Sequence, residues 1–295
     1  ADTLERKAEV VAADQARLEA LLEAATVREE QLDALDEAAR AWRTVLEVAP
    51  DHDLALEHLT AVQLEREAFD ALEERYAERG ALAHLYETMA ERAETIEDVE
   101  ATDRIYRRMV EIAENRLEDL GRAAESLENL KKLVDEPESI LEELERIYGQ
   151  LGELENQIEM NRQLLNSAPD ESARVERLRR MAELEAERGE ERLALEWQLQ
   201  VVQMAPSEEG TLERAETYAR AGEALDLLVE HLEILAEAAD DPVVQETLWR
   251  KLAELLRDDF EEIDAATSYY ERLRERDPED LETLEALDEL YDSTD

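Results

Sequence analysis

The feature that most constrains this chain is a regular beat of helix breakers. Pro137, Pro206 and Pro278 lie 69 and 72 residues apart, and Gly80, Gly152 and Gly222 lie 72 and 70 apart. Two residue types that interrupt regular structure for different reasons therefore share one period, which marks an internal repeat. Pro169 and Pro242 fall between, splitting each unit into two halves. Between the breakers, apolar residues recur at three- and four-residue spacing, as in Val175, Leu178, Met181, Ala182 and Leu184, or Leu225, Leu228, Leu232 and Leu235. That spacing puts them on one helix face, and strand-type alternation is missing. With only 7 Gly and 6 Pro in 295 residues, too few for a loop-rich sheet protein, the reading is all-α.

One interval breaks the rhythm. Pro137 to Gly152 spans 15 residues and Pro206 to Gly222 spans 16, but Pro50 to Gly80 spans 30. No Gly or Pro interrupts His52 to Arg79, so one long helix over 52–79 is expected there, in preference to an added short helix.

The residues resemble tetratricopeptide repeats (TPR), which pair an A helix and a B helix in about 34 residues. The last hairpin carries Trp249, Leu252, Ala253 and Leu256, then Ala266, Tyr270, Leu273 and Pro278. The first B helix carries Leu35, Ala38, Trp42, Val45 and Pro50. The middle has Leu141, Leu144, Tyr148, Gly152, Leu164 and Pro169, followed by Leu178, Met181, Ala182, Gly189, Ala194 and Pro206. Two places depart from the pattern. Gln157 stands where helix B needs a small residue, and the B helix after Gly222 reads about one turn too long. The resemblance implies a right-handed superhelical α-solenoid of TPR-like helical hairpins, with the A helices on its concave side. It is expected to be one continuous solenoid over 1–295, with units ending near Pro50, Pro137, Pro206 and Pro278 and both termini mid-unit. Leu4 to Val10 reads as the end of a B helix and Leu281 to Tyr291 as an A helix. The chain therefore reads as a fragment of a longer bacterial repeat array.

Charge limits the partners. Against 81 acidic residues stand 33 basic ones, a formal net charge of −48. Nucleic-acid binding relies on Lys and Arg neutralising phosphates, so this surface repels DNA, RNA and anionic membranes. No apolar run approaches a bilayer-spanning length, and no signal-peptide pattern opens the chain, so a cytoplasmic location is expected. The acidity fits either a basic partner drawn in over distance or solubility in a salty cell. The bias of Arg over Lys fits a halophile or a GC-rich genome.

The recurring polar feature lies on the second A helix of each large unit. The segments begin at Tyr106, Leu178 and Trp249, 72 and 71 residues apart. Arg107, Arg179 and Arg250 occupy one register; Arg108, Arg180 and Lys251 occupy the next. Glu111, Glu183 and Glu254 follow the first register by four residues and so share its helix face. The TPR resemblance points the first register at the groove. These nine residues are the candidate partner-binding set. They form either a row of guanidinium groups gripping carboxylates or an internal Arg–Glu ladder holding neighbours together.

Catalytic chemistry has no candidate. Cys is absent, so there is no thiolate nucleophile or Cys-based zinc site. His52 and His58, six residues apart, point to different sides of a helix, and no His–Glu metal motif or calcium loop occurs. Asp258, Asp259, Glu261 and Glu262 read as solvated turn residues and N-caps, as do Asp240 and Asp241. Phosphate-binding loops and nucleophile elbows are missing, so neither an enzyme nor a bound cofactor is expected. Trp42, Trp197 and Trp249 read as core wedges. The expected function is a non-catalytic scaffold that binds a segment of another protein on its concave face. The alternative is an acidic chaperone or sequestering protein for a basic client.

Overall fold

The computed structural model describes residues 14–32, 35–65 and 68–294. The segment Leu4 to Val10 lies outside them. The described chain is all-α, and its helices form two compact units, ending at Asp135 and starting at Glu136.

The first unit contains α1 (Asp14–Leu32), α2 (Leu35–Val48), α3 (Asp53–Glu65), α4 (Phe69–Glu78), α5 (Leu82–Thr95), α6 (Val99–Ile112) and α7 (Leu120–Lys131). The second contains α8 (Glu138–Leu151), α9 (Leu154–Asn166), α10 (Glu171–Glu187), α11 (Glu191–Met204), α12 (Thr211–Ala221), α13 (Leu225–Ala238), α14 (Pro242–Asp258), α15 (Ile263–Arg276) and α16 (Leu281–Thr294). Within each unit, helices pack mainly on their sequence neighbours, which is how hairpins stack in a solenoid. From α4 onward they pair as A and B helices: α4–α5 and α6–α7, then α8–α9, α10–α11, α12–α13 and α14–α15.

The interior follows the expected division of labour. Ala182, Ala194, Ala253 and Ala266 are completely buried, so neighbouring backbones approach closely there. Leu178, Leu195, Leu228 and Leu252 are equally buried and fill the spaces between. Each such Leu contributes about 1.5–3 kcal/mol of apolar burial. Trp42 is buried in the α1–α3 core, whereas Trp197 and Trp249 are partly exposed at core edges. Tyr270 is buried and Tyr269 half-exposed.

Residues 52–79 do not form one helix. Tyr76 Oη and Thr60 Oγ1 lie 2.9 Å apart, and residues 16 apart would be about 24 Å apart along a straight helix. α4 folds back on α3. Ala68 (φ −83°, ψ 51°) sends its N–H to the Gln63 carbonyl, closing α3, and its own carbonyl accepts from Leu72, opening α4. Face alignment explains the break. Ala55, Leu59 and Val62 form the main buried stripe of α3, and on a continuous helix Leu72 and Tyr76 would sit roughly 80° away from it. A turn returns them to the core. The extra residues are thus an added helix.

The glycine beat has two meanings. Gly152 takes φ 72° at the C-terminus of α8, where Glu153 N–H reaches back to the Tyr148 carbonyl, a left-handed cap. Gly222 has φ −86°, and the left-handed residue is instead Glu223 at φ 50°. What Gly222 supplies is clearance: a Cβ there would lie 3.1 Å from Arg192 Cγ and 3.2 Å from both the Arg192 amide nitrogen and the Tyr218 carbonyl oxygen. The two TPR departures also resolve. Gln157 is nearly buried and fits because Gly149 faces it: a Cβ on Gly149 would come within 2.9 Å of Gln157 Nε2. α13 has 14 residues, the same as α11 and α15, so it is not a turn too long.

Candidate interaction site

The nine candidate residues lie on α6, α10 and α14, and the structure sorts them into two kinds. The second register forms the ladder. Arg108 Nη2 meets Glu73 Oε2 at 2.6 Å, Arg180 Nε meets Glu145 Oε1 at 3.1 Å, and Lys251 Nζ meets Glu216 Oε2 at 2.8 Å. Each carboxylate lies on the preceding A helix (α4, α8 and α12), 35 residues earlier every time. Each cation also holds the Glu three residues ahead: Glu111 at 2.8 Å, Glu183 at 3.2 Å and Glu254 at 3.4 Å. The glutamates therefore serve the second register at a spacing of three, not the first at a spacing of four.

Burial makes these pairs structural. The carboxylates of Glu73, Glu145 and Glu216 are 12%, 13% and 22% exposed. Burial alone would lower the Arg108, Arg180 and Lys251 pKa values, but the carboxylates outweigh it and raise all three. Burial would raise the Glu216 carboxyl, yet bonds from Lys251 and Arg220 hold it below its ordinary value. Neighbouring cations extend the ladder: Arg116 pairs with Glu73, and Arg177 Nη1 meets Glu145 at 3.1 Å. Arg220 forks onto Asp259 at 2.5 and 2.7 Å.

The first register is looser. Arg107 is half-exposed and bonds Asp103 on its own helix, at 2.9 Å. Arg179 pairs with Glu208 in the loop before α12. Arg250 Nη2 meets Asp280 at 2.8 Å and its Nη1 meets Glu282 at 3.3 Å. Bonds from Thr283 and Arg250 lower the Asp280 pKa.

Two open clefts lie beside these arginines in the second unit. One, about 460 Å³, is lined by Glu171, Val175, Glu176, Arg179, Met204 and Glu208. The other, about 300 Å³, is lined by Leu212, Glu213, Val243, Glu246, Arg250, Lys251 and Glu254, with Lys251 tied into the ladder. Both set acidic side chains beside apolar ones, Val175 and Met204 in the first and Leu212 and Val243 in the second, and Val243 is 63% exposed.

The expected turn acids divide. Asp241 caps α14 by accepting from the Val243 amide, whereas Asp258 pairs with Arg257 and Asp259 with Arg220. His52 accepts from the Ala55 amide near the start of α3, and His58 pairs with Glu29 beneath Trp42. Among the described residues, no His, Asp and Glu group has metal-site geometry, and no helix is long and apolar enough to cross a membrane.

Antiparallel helix pairs with buried small residues, left-handed caps and A helices laced by ion pairs define a tetratricopeptide-like helical-repeat protein. Sequence comparison adds no family: no protein-family model and no curated protein matches the chain. Among solved structures, the chain is similar to several at low identity. A chain of the Naa15/Naa10 complex bound to HypK-THB is 16% identical with a TM-score of 0.32, the alignment covering 99% of this chain and 56% of that one. A thermophilic TPR protein of Thermus thermophilus is 20% identical with a TM-score of 0.27, covering 71% and 98%. The TPR2AB domain of yeast Sti1, in its pHSP90 complex, is 15% identical with a TM-score of 0.29, covering 99% and 98%. This chain thus spans little more than half the length of the Naa15/Naa10 complex chain.

Proposed function

We propose that this chain is a non-catalytic protein-interaction scaffold, and that the A-helix face of its second unit receives a partner segment carrying Lys or Arg. The observation that carries the reading is how charge is allocated. The cations of the second register are committed to nearly buried carboxylates, while the clefts beside Arg179 and Arg250 hold the exposed carboxylates of Glu171, Glu176 and Glu213 next to apolar side chains. A segment with apolar residues between basic ones matches that lining. A preformed cleft also lowers the ordering cost of binding. Arg179 and Arg250 then act within the lining and do not grip an acidic peptide by themselves, and Arg107, on α6, lines neither cleft.

The net charge of −48 favours a second reading, sequestration of a basic client through overall charge. Fluorescence anisotropy with a basic amphipathic peptide and a same-charge scramble separates the two. The cleft reading expects the amphipathic peptide to bind preferentially at about 150 mM salt, where charges more than roughly 8 Å apart are screened. It also expects Glu176→Lys or Glu213→Lys to weaken binding about tenfold (~1.4 kcal/mol). Equal binding of the scramble, lost steeply with salt and insensitive to either substitution, would refute it.

A further inference from the structure

The first unit holds an arrangement that breaks the charge pattern of the rest. The added helix α4 creates an open cleft of about 750 Å³ against the end of α2, and Arg43, Arg75 and Arg79 all line it. None of the three reaches ion-pair distance of a carboxylate among the described residues, although Glu47, Asp51, Glu74 and Glu78 line the same cleft. Arg79 instead donates to the Pro50 carbonyl. Burial depresses the Arg75 pKa and the like charges of Arg43 and Arg79 depress it further, with Glu78 offsetting only part of the shift. The ladder arginines Arg108 and Arg180 shift the opposite way because carboxylates hold them. At Arg75, burial and the two like charges outweigh the nearby Glu78, so the guanidinium groups still repel one another, and a bound anion relieves that repulsion.

We propose that the Arg43–Arg75–Arg79 cleft binds a phosphoryl group. The four carboxylates of the lining select the shape of the anion. A ligand whose charge is spread over several carboxylates would set some of them beside Glu47 or Glu78. A compact tetrahedral group carries about −1.5 to −2 at one point, with three acceptor oxygens. Those oxygens suit forked donation from planar guanidinium groups, and one compact anion can reach all three arginines. The group has two possible sources, free phosphate or a phosphorylated side chain on a partner protein. This site is independent of the clefts in the second unit, and neither reading depends on the other.

The test titrates the full chain, at about 150 mM salt, with inorganic phosphate and with a labelled phosphoserine peptide beside its Ser and Glu counterparts. The expected result is saturable binding of at least one phosphoryl probe. A peptide source predicts the phosphoserine peptide at least about tenfold tighter than the Ser or Glu peptide. Binding of inorganic phosphate with no preference among the peptides assigns the site to the free anion. Arg43→Gln or Arg79→Gln should weaken the bound probe about tenfold, and Arg162→Gln on α9 should leave it unchanged. Arg79 is exposed, so its variant tests binding without disturbing the core. Failure of both phosphoryl probes to bind, a Glu peptide as tight as the phosphoserine peptide when inorganic phosphate does not bind, or binding indifferent to both arginine substitutions would overturn the proposal.

Discussion

Glu216→Gln is the sharpest test of the ladder, because the change is nearly isosteric and removes one charge. Glu216 accepts Lys251 Nζ at 2.8 Å on one side and Arg220 Nη2 at 2.7 Å on the other. A glutamine keeps one neutral acceptor and loses the charge. Lys251, only 12% exposed, is left with Glu254 at 3.4 Å. Hydrogen bonds to charged groups contribute about 1.5–3 kcal/mol, and with one neutral bond surviving the expected loss is about 1–2 kcal/mol. A competing effect has the opposite sign, since removing one negative charge from a chain at −48 relieves repulsion. At about 150 mM salt that repulsion is screened beyond roughly 8 Å, whereas the two contacts are under 3 Å, so the pair wins.

The pH dependence follows from the same group. The folded-state pKa of Glu216 is depressed below its ordinary 4.5, so its contribution is fully present above that value and is lost as pH falls through the folded pKa. Urea unfolding should therefore show wild type more stable than the variant by about 1–2 kcal/mol near neutral pH, the gap closing as Glu216 becomes protonated in acid. A gap that stays constant with pH, or a variant more stable than wild type at about 150 mM salt, would refute the reasoning.

Three further outcomes are expected. Gly222→Ala should destabilise by about 1–3 kcal/mol, because the new Cβ meets backbone atoms of Arg192 and Tyr218 that cannot swing away; thermal unfolding reads it. Glu261→Gly should stabilise by about 0.5–1 kcal/mol: Glu261 holds φ 55°, and glycine removes that strain at some entropic cost, so an unchanged or lower Tm counts against it. Trp42→Phe should cost about 1.5–3 kcal/mol, since Trp42 Nε1 donates to Glu29 at 2.6 Å and phenylalanine leaves that carboxylate with His58 alone; denaturant titration checks it.

Helix faces and the hairpin period were legible in the sequence because both are set by local spacing. Ala182, Ala194, Ala253 and Ala266 all proved buried for that reason. What failed depends on contacts distant in sequence. Residues 52–79 contain no breaker, and the chain turns at Ala68 because Leu72 and Tyr76 would otherwise miss the core. The tolerance for Gln157 rests on Gly149, two residues that look unrelated until α8 and α9 pack. The clearance role of Gly222 looked like a turn signal for the same reason. For the site, a helix-local rule tied Glu111, Glu183 and Glu254 to the wrong arginines. The correct rule was nevertheless present, since Glu73, Glu145 and Glu216 each precede a second-register cation by 35 residues. That spacing becomes visible once stacked A helices, and not only neighbours on one helix, are compared.

The way the cations are used separates stability from recognition. A partner that drew Arg180 or Lys251 out of the ladder would strip a nearly buried carboxylate of one of its cations, leaving Glu145 to Arg177 or Glu216 to Arg220. These pairs are partly exposed and each carboxylate keeps a second cation, so the loss is about 1–2 kcal/mol, as for Glu216, still more than the roughly 0–1 kcal/mol that a single surface contact to a partner returns. The second register is therefore closed to partners. On the proposed reading, binding falls to groups outside the ladder: the exposed Glu176 and Glu213 in the second-unit clefts, and the arginines beside α4, which reach no carboxylate among the described residues. Charge reversal at Arg180 should accordingly lower the unfolding midpoint before it affects any ligand. Charge reversal at Glu176 or Glu213 should weaken a basic segment at constant midpoint. If Glu176→Lys lowers stability as much as Arg180→Glu does, the division between ladder and cleft is wrong.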